Sequence, residues 1–81
     1  MIIEKVGETL KKTFNLKTDY ITLGQLLKAE SIVATGGRAK WYLKAHPVEL
    51  NGELENRRGK KLYSGDNVVI PGQGMLFIRK K

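Results

Sequence analysis

The stretch from residue 35 to residue 52 constrains the fold most, because it holds three strong local signals in a fixed order. Thr35 precedes a basic segment and is predicted to cap a helix, since its hydroxyl can accept from a free first-turn amide. Pro47 predicts the end of that helix. A short strand over 48–50 then leads into Asn51-Gly52, a pair typical of two-residue β-hairpin turns.

Helical periodicity divides this second helix into a face that can be buried and a surface that carries charge. Gly36 and Gly37 open the helix and permit close approach to its backbone. At 100° per residue, one face is predicted to be buried: Ala39, Tyr42, Leu43 and His46. The remaining surface carries three cations and an indole: Arg38, Lys40, Trp41 and Lys44.

A first helix is predicted upstream, with Thr22 and Gln25 as a capping box. Its leucines form an apolar stripe that is expected to be core, and the apolar connector 32–34 should lie beneath the helix pair. Residues 13–19 alternate loosely in polarity and predict a strand. Before them, the spacing of Val6, Leu10 and Phe14 suits a helical turn, whereas residues 1–3 could equally begin a strand.

The second half of the chain is predicted to form short strands separated by turns. Strands are predicted at 53–55, 62–63, 67–70 and 75–78, with a basic loop at 56–61, turns at 64–66 and 71–74, and a frayed tail at 79–81. The predicted fold class is therefore α+β: one domain over residues 1–81, with two short helices on a small, mostly antiparallel sheet.

Charge indicates the class of partner. Fifteen lysines and arginines oppose eight acidic residues, for a net charge of +7, and such a field attracts polyanions, above all nucleic acid. Solubility alone could explain the excess, but the charge is concentrated in one region. Residues 36–61 hold seven cations against three glutamates. We call these seven the basic cluster: Arg38, Lys40, Lys44, Arg57, Arg58, Lys60 and Lys61.

Other features of the sequence exclude several classes of site and function. The absence of cysteine excludes disulfides and thiolate metal sites. No apolar run reaches the length of a membrane span, and the start of the chain does not resemble a signal peptide, so a cytoplasmic protein without a membrane role is expected. No triad, P-loop or ligand cluster is recognisable, so no catalytic residue, metal or cofactor is predicted.

The order and spacing of these segments resemble the S4 RNA-binding domain, and most closely its small standalone YaaA/YbcJ-type members in bacteria. The resemblance covers about residues 20–70, and its motifs are 21–28, 35–40, 48–53, 56–62 and Gly65-Asp66. It implies that the second helix and the basic loop form one surface for structured RNA. We expect the target to be rRNA, a ribosomal particle or tRNA, and the protein to be a monomer. Many S4 domains carry a cation where this chain has Gly36-Gly37, and a glycine where it has His46-Pro47.

The resemblance assigns RNA contacts to the basic cluster. The helix start adds bare amides and the positive end of the helix dipole, so Gly36 and Gly37 are predicted to let a phosphate approach the backbone. Trp41 is a further candidate contact. Two readings of Trp41 stay open: a half-buried indole that covers the sheet edge or a protein partner, and a ring that stacks on an unpaired base. His46 is expected to be a helix-end residue, and Tyr42 and Tyr63 to belong to the core or its rim. The alternative function is a protein-interaction adapter built on the same fold.

Overall fold

The computed structural model describes residues 11–80, in which two helices and a five-stranded sheet share one core. In chain order the elements are β1 (Lys11–Leu16), β2 (Tyr20–Thr22), α1 (Leu23–Ala29), α2 (Gly36–Ala45), β3 (Val48–Leu50), β4 (Glu53–Glu55), β5 (Lys61–Tyr63), β6 (Asn67–Ile70) and β7 (Gly74–Lys80).

The larger sheet has the strand order β1-β7-β6-β3-β4. Its neighbouring strands are antiparallel except β1 and β7, which run parallel. The strands β2 and β5 form a separate antiparallel pair. The predicted α+β class, with two helices on a mostly antiparallel sheet, is confirmed.

The core lies between the helices and one face of the larger sheet, because alternate strand residues point to that face. Leu26 of α1 and Leu43 of α2 are fully buried there, as predicted from the helical periodicity. They join a single cluster to which α1, α2 and the sheet all contribute: Leu16, Leu23, Leu26, Leu27, Val33, Ala39, Leu43, Val48, Leu62, Val68, Ile70, Leu76 and Ile78.

The β3–β4 hairpin turns at Asn51-Gly52, as predicted. Asn51 has φ 53° and Gly52 has φ 90°, and positive φ at both central residues is the mark of a type I′ turn. The Asn51 side chain also ties the turn to the next strand: its Oδ1 accepts from the Asn67 N–H at 2.9 Å, and its Nδ2 donates to Asp66 Oδ1 at 3.0 Å.

Both ends of the described chain differ from the prediction. The first strand spans Lys11–Leu16 rather than 13–19, and Phe14 lies in it instead of in a helical turn; Val6, Leu10 and residues 1–3 lie outside the described residues. The predicted frayed tail is wrong for Arg79 and Lys80, which extend β7. The physical reason is the parallel pairing of these residues with the end of β1, a partner that local sequence does not reveal.

Within residues 11–80, no helix has the length and apolar character needed to cross a membrane.

Candidate nucleic-acid interface

The start of α2 is capped as the sequence predicts. Thr35 Oγ1 accepts from the Arg38 N–H at 3.2 Å, which satisfies one of the amides that a helix leaves free at its first turn. Gly36 and Gly37 form that turn and are exposed. A Cβ added at Gly36 would meet no atom within 4 Å, so packing does not require glycine at this position.

Trp41 stands out from α2 into solvent, with 64% of its surface exposed. The reading in which it is half-buried over the sheet edge is wrong, because Ala39 and Leu43 occupy the buried face of the helix. Two ammonium groups lie near its ring instead: Lys40 Nζ is 5.6 Å and Lys44 Nζ is 5.3 Å from the ring centroid. Both distances allow cation–π attraction.

Periodicity places Arg38 on the other side of Trp41 from these two lysines. All four side chains belong to exposed residues of α2, so the helix presents a strip of cation, indole and two further cations. The structure thereby brings the predicted helix residues onto one solvent-facing surface.

His46 ends the helix and is not part of its buried face. Its N–H donates to the Tyr42 carbonyl at 2.7 Å, but its own φ of −137° and ψ of 77° leave the helical path. The periodicity that predicted burial therefore stops at Ala45. The imidazole is exposed, and its ring centroid lies 5.2 Å from that of Tyr42.

The basic loop was predicted over 56–61 but spans 56–60, because Lys61 is the first residue of β5. The loop is fixed to the start of α1 by its own carbonyl groups. The Leu23 N–H donates to the Lys60 carbonyl and the Gly24 N–H to the Arg58 carbonyl, both at 2.8 Å. The next amide, that of Gln25, donates to Thr22 Oγ1 at 3.3 Å as part of the predicted capping box. The loop thus completes the cap of α1, and α1 in turn holds the loop in one conformation.

The same loop also reaches α2. Arg58 Nη1 donates to the Gly36 carbonyl at 3.2 Å, and Gly36 lies one helical turn before Lys40. Close packing at α1 permits this approach: a Cβ at Gly24 would lie 3.2 Å from Arg58 Cβ and 3.3 Å from the Arg58 carbonyl oxygen. Arg58 therefore joins the starts of the two helices and sets the basic loop beside the lysine side of α2.

Arg57 differs from the other cations because it is paired. Its Nε donates to Glu55 Oε2 at 2.8 Å and its Nη2 to Glu55 Oε1 at 3.1 Å. These hydrogen bonds from Arg57 lower the pKa of Glu55 from 4.5 to about 2, although partial burial opposes the shift, and the pKa of Arg57 is raised in return. Much of the charge of Arg57 is compensated by this bidentate pair.

The rest of the basic cluster has no such partner in the described chain. Among residues 11–80, no carboxylate lies within 4.0 Å of the charged nitrogens of six residues: Arg38, Lys40, Lys44, Arg58, Lys60 and Lys61. None of these six residues therefore forms an ion pair in that part of the molecule, and a bound anion would not have to displace one.

Comparison with known proteins identifies the family. The S4 domain profile matches residues 14–77. The chain belongs to the S4 domain family. It is also similar to the "Probable ribosome maturation protein RlbA" of Bacillus subtilis (strain 168), with 52% identity over 60 residues, which cover 74% of this chain and 84% of the relative.

One exposed feature of this S4 domain was not anticipated from its sequence. Tyr63 was expected in the core or at its rim and Tyr20 was not singled out, yet both rings are exposed and their centroids lie 5.9 Å apart. The two residues are distant in the chain and meet through the β2–β5 pairing. A strand predicted at residues 20–22, directly before the capping box, would have indicated that Tyr20 could pair with a residue of a later strand.

The described residues offer no cluster for a metal ion. No group of three or more histidine, cysteine, aspartate or glutamate side chains with the spacing of a metal site occurs between residues 11 and 80.

Proposed function

We propose that this S4 domain is a non-catalytic RNA-binding protein that holds structured RNA on the basic cluster. The observation that carries the proposal is the attachment of the basic loop to both helix starts through Arg58. This contact brings Arg58 of the loop to the first turn of α2, so loop and helix are joined in one framework. A preorganised array of this kind fits the regular spacing of phosphates, since little conformational entropy is lost on binding.

The chemistry of the surface favours recognition of shape and phosphate position over base sequence. Lysines and arginines would contact phosphates, and the bare first-turn amides at Gly36 and Gly37 would add donors at the positive end of the helix dipole. Trp41, with the ammonium groups of Lys40 and Lys44 near its ring, would stack on an unpaired base that these phosphates bring near.

Ribosomal RNA or a ribosomal particle is the target that we favour, with tRNA as the alternative. The support is the similarity to a relative whose name describes ribosome maturation, together with the six cations of the basic cluster that form no ion pair within residues 11–80. The protein would act as a monomer in the cytoplasm, without cofactor or metal.

The test is the salt dependence of binding to a structured RNA. Four or five phosphate contacts would give a slope of about −0.7 to −0.9 per contact in log affinity against log salt. Raising salt from about 50 to about 200 mM should weaken binding roughly a hundredfold. The double variant Arg38→Ala with Lys44→Ala should flatten the slope by about two contacts.

A matched control removes the same charges from the far side of the molecule. Lys11 and Arg79 are exposed and share, by strand alternation, the face of the larger sheet that points away from the helices. Lys11→Ala with Arg79→Ala should leave the slope nearly unchanged. Equal loss in both double variants would mean that net charge alone matters, and the proposed surface would then be wrong.

A protein adapter is the second candidate, favoured by an open groove of about 1040 Å³ beside Trp41. Its lining is partly apolar: Ile32, Val33, Ala34, Tyr42 and Ala45 contribute to it. Binding through such a groove would be nearly independent of salt, whereas RNA binding would not. If neither double variant affects binding to RNA, the adapter becomes the better explanation.

A further inference from the structure

The small β2–β5 pair exposes two tyrosines on one face. Tyr20 is opposite Tyr63 and Thr22 is opposite Lys61 in the antiparallel register, so these four side chains share a face. On β5, Leu62 lies between Lys61 and Tyr63. It is fully buried and points to the core. The tyrosine face must therefore point to solvent.

Neither tyrosine is part of the hydrophobic core. Tyr20 is 40% and Tyr63 is 49% exposed, and neither ring belongs to the buried cluster or to the partly buried side chains packed against it. Two large aromatic side chains held side by side outside the core are unusual for a surface that has no partner.

Cations surround this aromatic pair. Lys61 Nζ lies 4.8 Å from the Tyr20 ring centroid. Tyr63 lines an open groove of about 480 Å³ together with Arg57, Gly59, Lys60 and Lys61, a volume within the range of small-ligand sites. The groove is thus continuous with the loop part of the basic cluster.

The geometry selects how a flat ligand would bind. The tyrosine centroids are 5.9 Å apart and the rings are tilted by 49°. Insertion between two rings needs about 3.5 Å on each side of the ligand, so no base fits between them. The ammonium of Lys61 is already over the Tyr20 ring, which leaves the groove side of Tyr63 for stacking.

We propose that Tyr63 is the stacking platform for an unpaired RNA base, with Tyr20 as its support and Lys60 and Lys61 as contacts for the flanking phosphates. The inference rests on the proposed RNA-binding function and adds a second substrate feature: a single-stranded segment adjoining the structured RNA. A base provides a flat π-face for the Tyr63 ring, and its phosphate backbone provides an anion for the lysines of the groove.

The experiment compares two RNAs: a blunt duplex, and the same duplex with a short single-stranded adenosine extension. Wild type should bind the extended duplex roughly tenfold more tightly, as expected for stacking of one base. Tyr63→Leu, which keeps an apolar side chain but removes the π-face, should abolish that preference. Tyr63→Phe should retain it. Leu54→Ala is the matched control, because Leu54 is also an exposed apolar strand residue, at 74% exposure.

The extension adds phosphates as well as bases, but none of these variants changes the charge of the protein. Loss of the preference in Tyr63→Leu and its retention in Tyr63→Phe would support stacking. A preference that survives in Tyr63→Leu, or that is lost equally in Tyr63→Phe or Leu54→Ala, would overturn the proposal. If wild type binds both RNAs equally well, the stacking proposal is wrong but the proposed RNA-binding function stands. If wild type binds neither RNA, both proposals are wrong.

Discussion

Gly24 and Gly36 lie at the starts of the two helices but have different reasons to be glycine. Arg58 crowds the position that a Cβ at Gly24 would take, whereas a Cβ at Gly36 would be in open space. Packing therefore accounts for Gly24 and leaves Gly36 unexplained. Inside a helix, glycine costs up to about 1 kcal/mol relative to alanine, and our proposal that a phosphate contacts this backbone supplies a reason for that cost at Gly36.

Gly36→Ala is expected to change stability and binding in opposite directions. Higher helix propensity should raise the free energy of unfolding by up to about 1 kcal/mol. The new methyl group would stand beside the first-turn amides and should weaken RNA binding several-fold by obstructing phosphate approach. Urea unfolding and RNA titration on the same sample check both effects. Tighter or unchanged RNA binding would show that no phosphate reaches this backbone.

The Glu55–Arg57 pair predicts a local pH dependence. Because the pKa of Glu55 is lowered to about 2, the pair stabilises the fold fully above about pH 4.5 and loses that contribution as the pH falls toward 2. Arg57 is 70% exposed, so solvent screens the pair and its contribution should be small. Arg57→Ala should lower the free energy of unfolding slightly at neutral pH.

The measurement is urea unfolding over a series of pH values. The difference between wild type and Arg57→Ala should shrink as Glu55 becomes protonated. Glu55→Gln is the control, since it removes the carboxylate at every pH and should show the same flattened profile. A difference that stays constant down to about pH 2 would mean that the pair does not hold in solution.

At the scale of elements, the contact between the basic loop and α1 links stability to the candidate interface. Two carbonyl groups of the loop accept hydrogen bonds from the first-turn amides of α1, and leaving such amides without an acceptor costs stability. Any change that moves the loop should therefore weaken the helix, and any change that loosens the helix should spread the cations.

Gly24→Ala tests this link without altering charge. Its methyl group would press on Arg58 at 3.2 Å, and the backbone of the loop would have to move. We expect a net loss of about 1 kcal/mol, since overpacking costs about 1–3 kcal/mol and helix propensity returns part of it. RNA affinity should fall as well. Gly59→Ala is the control in the same loop, because a Cβ there meets no atom within 4 Å.

If Gly24→Ala is as stable as wild type and binds RNA equally well, the loop can shift to accommodate the methyl group at little energetic cost. The idea that α1 positions the basic loop would then be wrong.

Across the whole molecule, features set by neighbouring residues could be predicted from sequence and those set by distant contacts could not. The Thr22–Gln25 capping box, the Thr35 cap and the Asn51-Gly52 turn each depend on residues within one turn of chain. The burial of Leu26 and Leu43 follows from helical periodicity alone. In contrast, the strand character of Arg79 and Lys80 depends on β1, at the opposite end of the described chain.

The candidate site divides in the same way. The cations and Trp41 could be named from composition and spacing, and their exposure agrees with the surface that was predicted for α2. The carbonyl contacts of the loop with α1, the Arg58–Gly36 hydrogen bond and the Tyr20–Tyr63 pair join residues from separate segments. No local pattern encodes those contacts, so only the folded structure reveals them.

The position of β7 between β1 and β6 has a consequence for biosynthesis. A ribosome makes β1 early and β7 last among the described strands, so β1 leaves the ribosome long before its parallel partner exists. Until then its apolar side chains, such as Leu16, lack the sheet that buries them. Pairing between distant segments also folds slowly and leaves strands open to aggregation. Closure of this sheet must therefore wait until residues 74–80 have been synthesised.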